Sequence, residues 1–190
     1  MTAPLPARSQ AKHEFLFDIA SVRARAREHI DNGAVTEGNR TDRKQLVKVL
    51  NEVLATELIS VLRYKRHYFM AQGLNSESVR QEFLEHANEE QQHADAVAAR
   101  ITQLNGEPDL NPATLVDRSH AEYTEGTDLV SMIREDLVAE RIAILTYSEI
   151  VRWLGDGDPT TRRLIEQILQ KEEEHAEDLQ SLLSSLPLDK

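Results

Sequence analysis

Between Asp42 and Gln72, Ser76 and Leu104, Asp128 and Leu154, and Thr160 and Leu186, the chain contains neither Gly nor Pro. Each stretch repeats apolar residues at three- and four-residue steps, the spacing of one helix face. In the first the stripe is Leu46, Leu50, Val53, Leu54, Glu57, Val61, Tyr64 and Tyr68; in the second, Val79, Phe83, Glu90, Ala94, Val97, Ile101 and Leu104. The third carries Leu129, Ile133, Leu137, Glu140, Ile144, Tyr147 and Val151, and the fourth Leu164, Ile168, Glu172, His175, Leu179 and Leu182. Stop and start signals separate them: Gly73, then Asn75 or Ser76 as a cap; Asn105-Gly106 with Pro108; and Asp158 as N-cap before Pro159 at the first helical position. Helices of about 28 residues span roughly 40 Å. Short turns join the first pair and the second pair, while about twenty residues join the pairs. The expected fold is therefore all-α: a four-helix bundle with a long crossover between its second and third helices.

Residues 1–41 read differently, as an N-terminal arm ahead of a bundle spanning 42–190. Phe15 to Ile30 fits one short amphipathic helix, broken at Asn32-Gly33. Of the net charge of -11, the first 44 residues carry eight bases against six acids, so the acid surplus lies wholly in the bundle. Arg23, Arg25 and Arg27 sit among Asp18, Glu28 and Asp31, a poor phosphate-binding patch, which argues against nucleic-acid binding. The chain has no cysteine, which excludes disulfides, thiolate metal sites and thiol enzymes. No run of about 18 apolar residues or signal-like N-terminus occurs, so no membrane partner and a cytoplasmic location are expected.

The apolar stripes hold residues that burial should reject. Glu57, Glu90, Glu140 and Glu172 take core-facing positions, one per helix, and an unpaired buried carboxylate costs several kcal/mol. Two imidazoles accompany them, since Glu90 and His93, and Glu172 and His175, are both Glu-x-x-His pairs on one helix face. The pattern repeats. Glu57 precedes Tyr64 by seven residues, as Glu140 precedes Tyr147; the halves are offset by 83 residues in the Glu/Tyr pair and 82 in the Glu/His pair. A lone Glu-x-x-His carries little weight, but matched offsets exclude coincidence and set aside Glu89, whose counterpart is Lys171. Antiparallel hairpins bring the six ligands to one layer. Four carboxylates and two neutral imidazoles suit two divalent ions, with iron or manganese favoured over magnesium by the nitrogens and over tetrahedral zinc by the ligand number. Glu90 and Glu172 would bridge, with Glu57 and His93, and Glu140 and His175, as terminal ligands, the ligand set of di-iron and di-manganese carboxylate bundles. Tyr64 and Tyr147 are either bundle aromatics or donors that orient a terminal carboxylate across the bundle. His86, seven residues before His93, either handles iron in transit or faces solvent or an interface. His67, His120 and Glu122 have no task that spacing assigns.

At these residues the chain resembles the ferritin-like superfamily, in its bacterioferritin and Dps-like branch, over Asp42 to Leu186. The resemblance implies a ferroxidase centre at Glu57, Glu90, His93, Glu140, Glu172 and His175, where oxygen or hydrogen peroxide oxidises two ferrous ions and the ferric product is stored in a hollow homo-oligomeric shell. Departures narrow it. Bacterioferritins carry a haem-binding Met directly after the second-helix Glu; here that residue is Gln91, so haem is not expected. The cysteine pair of archaeal Dps-like ferritins and the cysteine-rich iron domain of rubrerythrins are missing. About fifteen residues follow His175, too few for a fifth helix, which favours a dodecamer over a 24-subunit shell. Dps proteins place the iron site between subunits, whereas all six ligands here lie in one chain, as in bacterioferritin. The alternatives are a di-metal oxidase or peroxidase of the same fold that stores nothing, and a DNA-protecting shell.

Overall fold

The computed structural model describes residues 18–72 and 76–186. Among them the only regular structure is helical. A first compact unit, Met1–Asn32, contains helix α1 (Ile19–Arg25), started by Asp18, whose side chain accepts a hydrogen bond from the Ala20 amide. This helix is shorter than the Phe15–Ile30 expected. None of its residues is buried, so no packing extends it, and His29 at φ 50° turns the chain. Phe15 lies outside the described residues, as do Gly73 and Asn75.

The second unit, Gly33–Lys190, holds the bundle. Its long helices are α2 (Arg43–Met70), α3 (Ser76–Gln103), α5 (Leu129–Leu154) and α6 (Pro159–Ser185), with α4 (Leu115–Arg118) a single turn in the crossover. The ends follow the sequence signals. Asp42 caps α2 through the Lys44 and Gln45 amides, and Asp128 and Ser131 form a reciprocal capping box on α5. Gly155 ends α5 at φ 47°, where a side chain would be strained. Asp158 caps α6 through Thr161 and also pairs with Arg100 of α3 and Asn39, tying three segments at one end.

The crossover fixes the topology. From Glu107 to Glu125 it climbs α2: Asn51 bonds the Glu107 carbonyl and the Asp109 amide, Thr56 meets His120, Arg63 donates to the Glu122 carbonyl, and His67 meets the Glu125 carbonyl. Leu115 of α4 packs on Ala55 and Ile59. Helix α5 therefore starts beside the C-terminal end of α2 and runs antiparallel to it. His67, His120 and Glu122, without a task from spacing, act here as anchors of this strap.

Two apolar plugs fill the bundle. One joins Leu46, Leu50, Val53, Val97, Ile101, Leu154 and Ile165; the other joins Tyr64, Val79, Phe83, Met132, Ile133 and Leu179. On every long helix the stripe changes from one plug to the other at a single glutamate. Those four residues, Glu57, Glu90, Glu140 and Glu172, form a polar layer between the plugs, each about 1% exposed.

Candidate metal centre

Antiparallel pairing within each hairpin makes the four glutamates level, and helical spacing adds His93 one turn along from Glu90 and His175 one turn along from Glu172. The structure brings all six together. Glu57, Glu90, His93 and Glu172 place one ligand atom each within 4.8 Å of one another, and so do Glu90, Glu140, Glu172 and His175. The two groups share Glu90 and Glu172. His93 Nδ1 lies 3.2 Å from Glu57 Oε2, 3.2 Å from Glu172 Oε1 and 3.5 Å from Glu90 Oε2. His175 Nδ1 lies 3.2 Å from Glu90 Oε1 and 3.6 Å from Glu172 Oε2.

These donors satisfy one another only in part, through the 3.2 Å hydrogen bond between His93 Nδ1 and Glu57 Oε2. Glu90 Oε1, Glu172 Oε1 and His175 Nδ1 are buried without a hydrogen-bond partner, although they lie close in distance. Atoms that crowd together without hydrogen-bond geometry point at common positions between them, as ligands of a cation do. The donor set fits two divalent ions of the iron or manganese class.

The outer contacts are arranged across the hairpins. The Tyr64 hydroxyl donates to Glu140 and the Tyr147 hydroxyl to Glu57, so each tyrosine holds a carboxylate of the other hairpin. Glu89, set aside on spacing, accepts at 2.7 Å from His175 Nε2 and orients that ring. Its signal was the antiparallel register, which puts the residue before Glu90 level with the end of the second Glu-x-x-His. Beyond Tyr64 lies a charge cluster that the sequence did not reveal: Asp136, fully buried, accepts from Arg63 Nε at 2.8 Å and pairs with His67 Nδ1 at 2.8 Å. An acid four residues before Glu140 in the α5 stripe was the trace available. His86 is buried against His175, the ring centroids 4.0 Å apart, which removes the solvent-facing reading.

Burial in one layer makes these groups share protons. Burial and the Glu90 charge push the Glu57 carboxyl up to about 8, and burial with Glu90 also raises Glu140 and Glu172. Burial lowers the imidazoles, but the carboxylates win: Glu172, Glu57 and Glu90 push His93 up to about 12, and Glu90 and Glu140 push His175 up to about 9. Glu90 is lowered, because the His175 and His93 imidazoles beside it outweigh its burial. The folded chain keeps protons on Glu57 and His175 that the unfolded chain sheds near 4.5 and 6.5, so their stabilising contribution fades as pH rises towards 8 and 9. Chelator-treated protein should therefore show a Tm that falls between pH 6.5 and 9, whereas manganese(II), which needs the deprotonated ligands, should raise Tm more at the upper end. A chelated Tm that climbs over this range contradicts the account.

Comparison with known proteins agrees with this geometry. The family described as "Ferritin-like domain" matches residues 47–188. The DNA protection during starvation protein of Pyrococcus furiosus is 30% identical over 160 residues, covering 82% of this chain and 86% of that one. The bacterioferritin of Desulfovibrio desulfuricans is 28% identical over 140 residues, 73% and 74% of the two chains, and its structure, described as containing a diiron site, superposes with a TM-score of 0.66. A dodecameric thioferritin, the bacterioferritin-related protein of Bacteroides fragilis, superposes with a TM-score of 0.74 at 36% identity over 76% of this chain and 88% of that one.

Proposed function

The chain belongs to the ferritin-like family, and we propose that it is a ferroxidase that stores or detoxifies iron: it oxidises ferrous ions at a dinuclear centre inside each chain and keeps the ferric product in a hollow homo-oligomeric shell. One observation carries this reading, the two overlapping donor groups that share Glu90 and Glu172. Two ions bound there would be bridged by both carboxylates, with Glu57 and His93 completing one and Glu140 and His175 the other. Each ferrous ion yields one electron, so an adjacent pair reduces one oxygen to hydrogen peroxide, or one hydrogen peroxide to two waters, with two protons taken up in either case. The residues of this chain supply the rest. The four carboxylates offset the growing charge of the metals, and the two imidazoles release their protons as metal binds. Tyr64 and Tyr147 hold the terminal carboxylates in place, and the apolar plugs keep water from the layer. Tyr147→Phe should weaken ferrous binding by about 10- to 100-fold, measured by anaerobic titration; unchanged affinity would remove Tyr147 from the centre.

The shell follows from the same reading. Leu62, Phe69, Leu145 and Trp153 leave apolar surface on the outer faces of α2 and α5, available to neighbouring copies. A twelve-subunit shell, the size of the B. fragilis assembly, has roughly twelve times the 21.6 kDa chain mass. Native mass together with iron content tests storage. A hollow particle that takes up many irons per chain is expected, and a monomer or dimer that stops at two irons would replace storage with a plain di-metal oxidase.

A further inference from the structure

One cluster of donors lies outside the dinuclear layer and has no part in it. Glu82, His86 and Asp178 place one ligand atom each within 4.8 Å of one another. His86 Nε2 is 3.3 Å from Glu82 Oε1 and 3.9 Å from Asp178 Oδ2. Three ligands each about 2.1 Å from one ion are separated by roughly 3.4 Å in tetrahedral geometry, so the set needs only a small contraction to hold a cation, with water completing the shell. The other ring nitrogen, Nδ1, is buried without a hydrogen-bond partner, so His86 is not explained as a hydrogen-bonded core histidine.

The internal repeat does not carry these residues in its other half. At the offset of 82 that relates the two Glu-x-x-His pairs, Glu82 corresponds to Leu164, His86 to Ile168 and Asp178 to Ala96. The other half of the fold fills the same places with apolar side chains. Placement is equally asymmetric. The Asp178 side chain is 54% exposed, Glu82 31% and His86 2%, and the His86 ring stacks on His175 at 4.0 Å. Ligands are thus graded from solvent to the edge of the dinuclear layer, one helical turn away along α3 and α6.

We infer that Glu82, His86 and Asp178 form a third divalent-cation site, selective for ions that accept imidazole, and that it hands ferrous iron to the dinuclear centre. Binding stands on the cluster alone; the handover rests on the ferroxidase reading. Zinc(II), redox-inert and visible by anomalous scattering, tests binding. Crystals of the full chain soaked in zinc should show an anomalous peak about 2.0–2.1 Å from His86 Nε2 that disappears in the Glu82→Gln/Asp178→Asn double variant, whose changed side chains are partly exposed. No peak at His86 in the native protein, or one that persists in the double variant, overturns the site, whatever the occupancy of the dinuclear layer. Stopped-flow oxidation tests the handover. The double variant should oxidise iron several-fold more slowly at subsaturating ferrous iron yet reach the native maximum at saturation. An unchanged rate at subsaturating iron overturns the transfer role and leaves the ferroxidase assignment standing.

Discussion

Replacement of Glu90 by Ala is expected to abolish the rapid phase of ferrous oxidation, with a loss of at least about 100-fold. Glu90 belongs to both donor groups, so on the proposed reading its removal would take a ligand from both ions at once. Loss of an outer hydrogen-bond partner at a metal site costs about 10- to 100-fold, and a shared direct ligand should cost more. The fold should survive. Glu90 is one of four acids in a single layer, and its deletion relieves the charge repulsion that raises Glu57, Glu140 and Glu172. His175 loses its strongest support for carrying a proton and His93 loses one of three carboxylate partners, but both can become neutral rather than remain as unpaired buried cations. Glu85→Ala, on an exposed position of the same helix, supplies the control and should oxidise iron at the native rate. Equal rates for Glu90→Ala and the native chain, measured by stopped-flow absorbance, would refute the assignment of the centre.

The second large effect concerns stability. Asp136→Asn keeps the shape of the side chain and removes its charge, which leaves the Arg63 guanidinium, 1% exposed, without its counterion. Breaking a buried pair from one side costs about 3–5 kcal/mol, because the remaining charge stays desolvated. For a chain of this size that is a Tm lower by roughly 10 °C. His67 loses the same partner, and through Arg63 and His67 the Glu122 and Glu125 carbonyls of the crossover lose their anchors. Removing both charges should be milder: an Arg63→Met/Asp136→Leu double variant is expected to recover most of the lost Tm. If the single variant melts within about 2 °C of the native protein in thermal unfolding, the pair contributes little to stability.

The fold was legible in the sequence where one physical rule dominates. Apolar stripes of helical period, Gly73 and Asn105-Gly106 at chain breaks, and Asp158 before Pro159 are local signals, and α2, α3, α5 and α6 lie where they point. The six-residue layer could be read because carboxylates inside an apolar stripe violate burial unless something positive meets them, and because the violation recurs at one offset. What escaped depends on contacts between distant segments. The Arg63–Asp136–His67 cluster spans 73 and 69 residues of sequence, and each member alone looks like an ordinary polar residue at the edge of a stripe. Glu89 was set aside because its repeat partner is Lys171. The structure shows that the two positions are asymmetric by design of the contact: Lys171 lies 3.5 Å from Glu89, which in turn orients His175. For His86 spacing leaves open iron handling or an outward-facing role, and the α6 contact with Asp178 decides its surroundings. The end of the N-terminal helix was missed for the opposite reason, since its apolar spacing is present but no surface buries it.

The central claim is that one chain binds and oxidises two ferrous ions as a pair. Ferrous iron added in steps to the metal-free protein in air-saturated buffer, with the fast absorbance change recorded at each step, tests it most directly. The amplitude of the fast phase should rise linearly and break at two irons per chain, with slower mineral growth beyond that point. A break at one iron per chain, or no fast phase at all, would contradict a dinuclear ferroxidase centre at Glu57, Glu90, His93, Glu140, Glu172 and His175.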